Sequence, residues 1–296
     1  MIRHSRGCRK TNTIEIKPNP SPLFTVEFSI LSDEIALDIQ DALKHGAEMG
    51  FRKYEIRCVD DYEHRVPYLN PGREEYLQER IDNETIQITA LSPGVFKIDL
   101  SNPELVRKEL DETLPKCCEM AVRLKSPIVI VFGFMRGNGS ELSEAIRLLK
   151  EAGAIAKQHN LKLAIENEPG SFCDTGANTT AVIEEIDMEN VGINWDPGNA
   201  LSCGEIPYPI GYECVRPHIL NMHIKDTIPI PPDKWENRLI GDGGVNWIGQ
   251  LQAAIKDNIL PYLTIETHVF PVLESTKEEL RRLHIYLETI KKLEQR

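Results

Sequence analysis

No stretch of this 296-residue chain is apolar for long enough to cross a bilayer; the longest, Pro127 to Met135, has the length of a buried strand. No GxGxxG turn follows any strand-like run, which argues against a dinucleotide-binding doubly wound sheet. The 7 cysteines (Cys8, Cys58, Cys117, Cys118, Cys173, Cys203 and Cys214) are odd in number and show no CxxC spacing. Neither a disulfide framework nor a zinc–thiolate knuckle is expected, and a reduced, cytoplasmic compartment is. Basic residues are in deficit, 34 against 46 acidic ones, and the net charge of -12 is spread along the chain. Nucleic acid would repel such a polyanion at long range. The remaining composition, 41% hydrophobic and 27% charged with a mean hydropathy of -0.31, is that of a soluble globular protein. Neither nucleic acid nor membrane is expected as a partner.

The first 22 residues differ from the rest. They carry Arg3, Arg6, Arg9, Lys10 and Lys17 against Glu15 and end in Lys17-Pro18-Asn19-Pro20-Ser21-Pro22, with no apolar run of the secretory kind. An unstructured leader over 1–22 is expected, followed by one domain over 23–296.

From Phe24 onward, short apolar runs alternate with amphipathic helical patterns, the signature of parallel strands joined by helical crossovers. Eight strands are expected, near Thr25 to Leu31, Lys53 to Arg57, Ile86 to Leu91, Ile128 to Phe132, Leu161 to Glu166, Val191 to Asp196, Leu220 to Lys225 and Tyr262 to Thr267. Ala145, Ile146, Leu149, Ala152 and Ala156 recur at a helical period, with Asn160 where that helix should stop. A capping box from Ser275 to Glu278 is expected to open the last helix, and vicinal Cys117 and Cys118 read as small buried apolar residues of another. Eight βα units without a dinucleotide turn point to an α/β fold of the single (β/α)₈ TIM barrel type.

The last four strands all run into a residue able to bind a metal: Glu166, Asp196, His223 and Glu266. Strand C-termini converge on the active-site face of such a barrel, and these four are separated by about one βα unit each. A strand-end carboxylate can merely cap the next helix, and a histidine can be satisfied by hydrogen bonds. Four such residues at one structural level favour a metal site. Three carboxylates and an imidazole suit Mn²⁺, Mg²⁺ or Co²⁺, with Zn²⁺ tolerated. By the two-residue period of a strand, Glu168, Lys225 and His268 stand above Glu166, His223 and Glu266 as candidate substrate contacts, Lys225 as an oxygen-binding cation. Gly241-Asp242-Gly243-Gly244 lies where many barrels bind phosphate, but reads better as a turn before a helix near Asn246 and Trp247.

Together, Ile165-Glu166-Asn167, Asp196-Pro197-Gly198-Asn199, Met222-His223-Ile224-Lys225-Asp226, Gly241-Asp242-Gly243 and Ile265-Glu266-Thr267 resemble the xylose isomerase-like barrels of sugar phosphate isomerases and epimerases, from about residue 24 to the end. The resemblance implies that Glu166, Asp196, His223 and Glu266 hold one divalent ion and that Glu166 and Glu266 also serve as acid and base. Many members carry a histidine where this chain has Asn199, which is a candidate substrate contact instead. The abasic-site endonucleases of the same superfamily need further histidines from strands three and four. This chain ends those strands with Ala90-Leu91-Ser92 and Phe132-Gly133-Phe134.

An ion held by four protein groups leaves room for a carbonyl and its neighbouring hydroxyl, and polarises the carbonyl as the adjacent C–H proton leaves. Isomerisation or epimerisation of a small sugar, sugar phosphate or related hydroxy-ketone is therefore expected, within carbohydrate metabolism. A dehydratase acting on a cyclic polyol ketone is the first rival, and a metal-dependent phosphodiesterase a weaker one. A small sugar-like molecule is the expected partner, and homo-oligomerisation is left open.

Overall fold

The structure is a computed structural model that describes residues 26–231, 234–257 and 262–295. The leader expected over 1–22 lies outside the described residues. Eight strands form the barrel: β1 (Glu27–Leu31), β2 (Lys53–Ile56), β3 (Gln87–Leu91), β4 (Ile128–Phe132), β5 (Lys162–Glu166), β6 (Val191–Trp195), β7 (Ile219–Ile224) and β8 (Tyr262–Ile265). Each pairs in parallel with its sequence neighbours, and β8 returns to pair with β1 and close the ring.

β-Branched and aliphatic runs make these strands, and alternation sorts their side chains. Val129, Val131, Leu163 and Ile165 point outward into the main core under the helices. Ala90, Ile128, Ile130 and Ala164 form a separate small cluster inside the ring. The helix Leu142–Gln158 buries Ala145, Leu148, Leu149, Ala152 and Ala156 on one face and ends where Asn160 takes a left-handed conformation, φ 58°. Cys117 and Cys118 are buried in the helix Leu114–Arg123.

The expected capping box does not form. The last helix, Val272–Glu294, begins one turn early, behind Pro271 at its N-cap. The Ser275 amide already donates to the Pro271 carbonyl at 3.1 Å, so no orphan donor is left for a box, and Glu278 pairs with Arg281 and Arg282.

Above the apolar cluster the barrel interior turns polar. Asn221 donates to Asn194 Oδ1 at 3.0 Å and to Glu55 Oε2 at 3.1 Å, and Thr264 Oγ1 donates to Asn221 Oδ1 at 3.3 Å. Two antiparallel hairpins follow strand C-termini, Cys58–Val59 with Asp61–Arg65 after β2 and Asp226–Ile230 with Lys234–Arg238 after β7. Among the described residues no helix is long and apolar enough to cross a membrane.

Candidate metal centre

Glu166 is the last residue of β5, His223 the penultimate residue of β7, and Asp196 and Glu266 stand one residue past β6 and β8. All four are buried, and one ligand atom from each lies within 4.8 Å of the others. His223 Nδ1 is 3.0 Å from Glu266 Oε2 and 3.5 Å from Glu166 Oε1. Asp196 does cap a helix: its Oδ1 accepts from the Asn199 amide at 2.9 Å, at the start of the short helix Pro197–Ser202. Its Oδ2 is buried and accepts no hydrogen bond, with the Lys225 ammonium 2.5 Å away in ion-pair contact. A buried carboxylate oxygen that faces an ammonium but accepts no aligned hydrogen bond, beside two further carboxylates and an imidazole nitrogen, belongs to a donor set that fits a hard divalent ion.

Charge balance in the cluster comes from groups on several strands. Burial works to lower His223, but Glu55, Glu266 and Glu166 raise it well above its usual 6.5. Burial likewise opposes the Lys225 ammonium, and Asp196, Glu266 and Glu166 more than compensate. Burial raises Asp196 against the pull of Lys225. Glu266 is pushed up by burial yet ends well below the ordinary range, because Lys225, His268 and His223 surround it.

Sequence reasoning missed the supporting groups at the ends of β1 and β2. Glu55, fully buried inside the ring, accepts at 3.1 Å from His223 Nε2, which leaves Nδ1 for the cluster. Ser92, at the end of β3, donates to the same carboxylate. Arg57 reaches Glu266 Oε1 at 2.5 Å and is held by Asp33 at 2.9 Å and Glu34 at 3.2 Å. The strand-end rule that found the four ligand candidates also marks Asp33, Glu34 and Arg57 once it is applied to the first two strands.

The candidate substrate contacts divide. Lys225 is buried against Asp196 and Glu266. His268 bridges Glu266 at 3.0 Å and Glu34 at 2.9 Å, and is pushed up to about 9 because these two carboxylates outweigh its burial. Glu168 pairs with Lys97 at 2.6 Å. Asn199 donates to the Asn167 carbonyl at 2.8 Å and to Glu168 Oε2 at 3.2 Å, so it fastens the turn after β5. A cavity of about 250 Å³ opens over this group, bordered by all four together with Glu166, His223 and Glu266. That is room for a small polar molecule. A larger hollow of about 670 Å³ at the other end of the barrel, around Phe28, Phe51 and Ile86, contains none of the four ligand candidates.

The glycine-rich loop is a turn with its own anion. Asp226 accepts from the amides of Gly241 at 2.9 Å, Gly243 at 3.2 Å and Val245 at 3.0 Å. A Cβ on Gly243 would stand 2.1 Å from Asp226 Oδ1, which accounts for the glycine. The next helix begins at Trp247, with Asn246 Oδ1 accepting from the Gly249 amide.

Known proteins place this architecture. An uncharacterised protein of Methanocaldococcus jannaschii is 26% identical over 254 residues, 82% of this chain and 83% of that one. A 3-oxo-isoapionate decarboxylase of Pectobacterium atrosepticum is 27% identical over 83% of this chain and 82% of its own length. A 3-dehydroshikimate dehydratase of Bacillus anthracis is 24% identical over 49% of this chain and 52% of that enzyme. Among solved structures, a D-tagatose 3-epimerase-like protein superposes with a TM-score of 0.73 at 22% identity, covering 90% of this chain and 99% of that one. A Mycobacterium smegmatis barrel in complex with magnesium gives 0.69 at 17% identity, covering 91% and 99%. The description of the xylose isomerase-like TIM barrel matches residues 43–286, and the chain belongs to that family.

Proposed function

We propose that this protein is a divalent-metal-dependent isomerase or epimerase of a small sugar-like hydroxy-ketone, with Glu166, Asp196, His223 and Glu266 as the metal ligands. The observation that carries this reading is the meeting of Glu166 and Glu266 with Asp196 and His223 within 4.8 Å, at the floor of a cavity of about 250 Å³. When bound, the ion, Mn²⁺ in our reading, would supply Lewis acidity to the substrate carbonyl. Glu266, held ionised by Lys225, His268 and His223, takes the proton from the carbon beside that carbonyl. In this reading Glu166 returns a proton, to the opposite face in an epimerase or to the neighbouring carbon in an isomerase. Lys225 offers its buried ammonium to a developing oxyanion, and Arg57 fixes the orientation of Glu266. The described cysteines are free, in keeping with the cytoplasm.

The dehydratase relative favours a second reading, in which loss of the same proton from the carbon beside the carbonyl is followed by departure of the hydroxyl on the next carbon as water, with Glu166 supplying the proton to that leaving oxygen. The phosphodiesterase reading finds little support, since Ser92 is engaged with Glu55 and Phe132 is apolar at the ends of β3 and β4. Ketoses, their phosphates and cyclic ketones incubated with the Mn²⁺-loaded enzyme in D₂O should gain deuterium beside the carbonyl, and Glu166→Gln and Glu266→Gln should slow this by about 10²- to 10⁴-fold. Loss of water from the product would promote the dehydratase. Cleavage of abasic DNA with no deuterium in any sugar would overturn both.

A further inference from the structure

The cationic side chains around the cavity are not equivalent. Arg57 is answered by Asp33, Glu34 and Glu266, Lys225 by Asp196 and Glu266, His268 by Glu34 and Glu266, and Lys97 by Glu168. Arg65 borders the same cavity and, among the described residues, forms no ion pair. It ends the hairpin that follows β2, paired in register with Cys58. Its guanidinium lies against Gly94, where an added Cβ would come within 2.4 Å of Nη1, and Gly94 itself borders the cavity. The absence of a side chain at Gly94 therefore seats this guanidinium at the cavity wall.

The half-buried Arg65 guanidinium meets the Cys58 sulfur but no carboxylate, so no anion neutralises its planar fork of donors. That fork matches the paired oxygens of a carboxylate or phosphate. We propose that Arg65 receives an anionic group of the substrate, so that the substrate is an acidic hydroxy-ketone and not a neutral ketose. The proposal rests on the functional reading above for the cavity's being the substrate site. It adds the chemical class of what enters: a sugar acid or a sugar phosphate small enough for about 250 Å³.

Calorimetric titration of the full chain with inorganic phosphate, D-glycerate and glycerol tests this, in Mn²⁺ and again after chelation. At least one anion should bind more tightly than glycerol. Arg65→Met should weaken that anion tenfold or more in both conditions, and Arg147→Met, on the outer surface, should not. Should the Met variant fail to fold, Arg65→Gln keeps a polar head and should show the same loss. Phosphate preferred over glycerate points to a sugar phosphate, and the reverse to a sugar acid. Anion binding unchanged in a folded Arg65 variant, binding of neither anion, or binding abolished by chelation alone would each overturn the assignment. Absence of metal binding, with Arg65-dependent anion binding intact, would instead sink the isomerase reading and leave this subsite standing.

Discussion

His223 stands between two kinds of neighbour. Its Nδ1 faces Glu266 and Glu166, while its Nε2 donates to Glu55 at 3.1 Å. A carboxylate behind a ligating imidazole fixes its tautomer and raises its basicity, and losing one typically costs about 10- to 100-fold in metal affinity. Glu55→Gln should therefore weaken Mn²⁺ by that amount in a chelator-competition assay, whereas Asp196→Ala should remove binding. Unchanged affinity in Glu55→Gln would leave Glu55 as filling for the barrel interior. The four ligand candidates were legible because each follows an apolar strand at a similar interval. Glu55 was not: Lys53-Tyr54-Glu55-Ile56-Arg57 alternates like any half-exposed strand, and its partner lies 168 residues away. Burial inside a closed ring becomes visible only once the ring is built.

At the level of elements, apolar runs set between helical patterns located all eight barrel strands to within a few residues; strands buried on both faces, such as Ile128–Phe132, read as continuous apolar runs, whereas Lys53–Ile56 reads as an alternation. Helix starts were less legible. Ser275 and Glu278 satisfy the capping-box pattern, yet Pro271 sets the start of the last helix one turn earlier. That helix carries Glu279, fully buried, with Oε2 accepting from the Ile240 amide at 2.9 Å and Oε1 without a partner. Burial pushes its carboxyl up to about 8, with the Ile240 hydrogen bond opposing and Asp226 assisting. A folded value above the usual 4.5 means that the native state holds this proton more tightly than the unfolded chain. Its stabilisation is complete below about 4.5 and is lost as pH rises through about 8, a difference of a few kcal/mol. Glu279→Gln should thus melt close to wild type at pH 5 and above it at pH 9. A constant difference across that range would remove Glu279 as the source.

For the molecule as a whole, the candidate ligands come from β5, β6, β7 and β8, so one ion would join half of the ring through strand ends that otherwise gather like charges. A ligand that binds only the native state stabilises it by mass action, about 2.7 kcal/mol at a hundred times its Kd. For a domain of this size that corresponds to a rise of roughly 5–10 °C in melting temperature. Protons compete with the ion, because His223 is held well above 6.5 by Glu55, Glu266 and Glu166 and must give up a proton to ligate. Metal binding should release protons into a weak buffer, and the thermal shift between Mn²⁺ and chelator should shrink as pH falls from 8 to 6. His223→Ala and Asp196→Ala should melt at the same temperature with Mn²⁺ as with chelator. A Mn²⁺ shift of wild-type size in both variants would mean that the ion binds elsewhere, since each variant removes one of the four ligand candidates that join the strand ends.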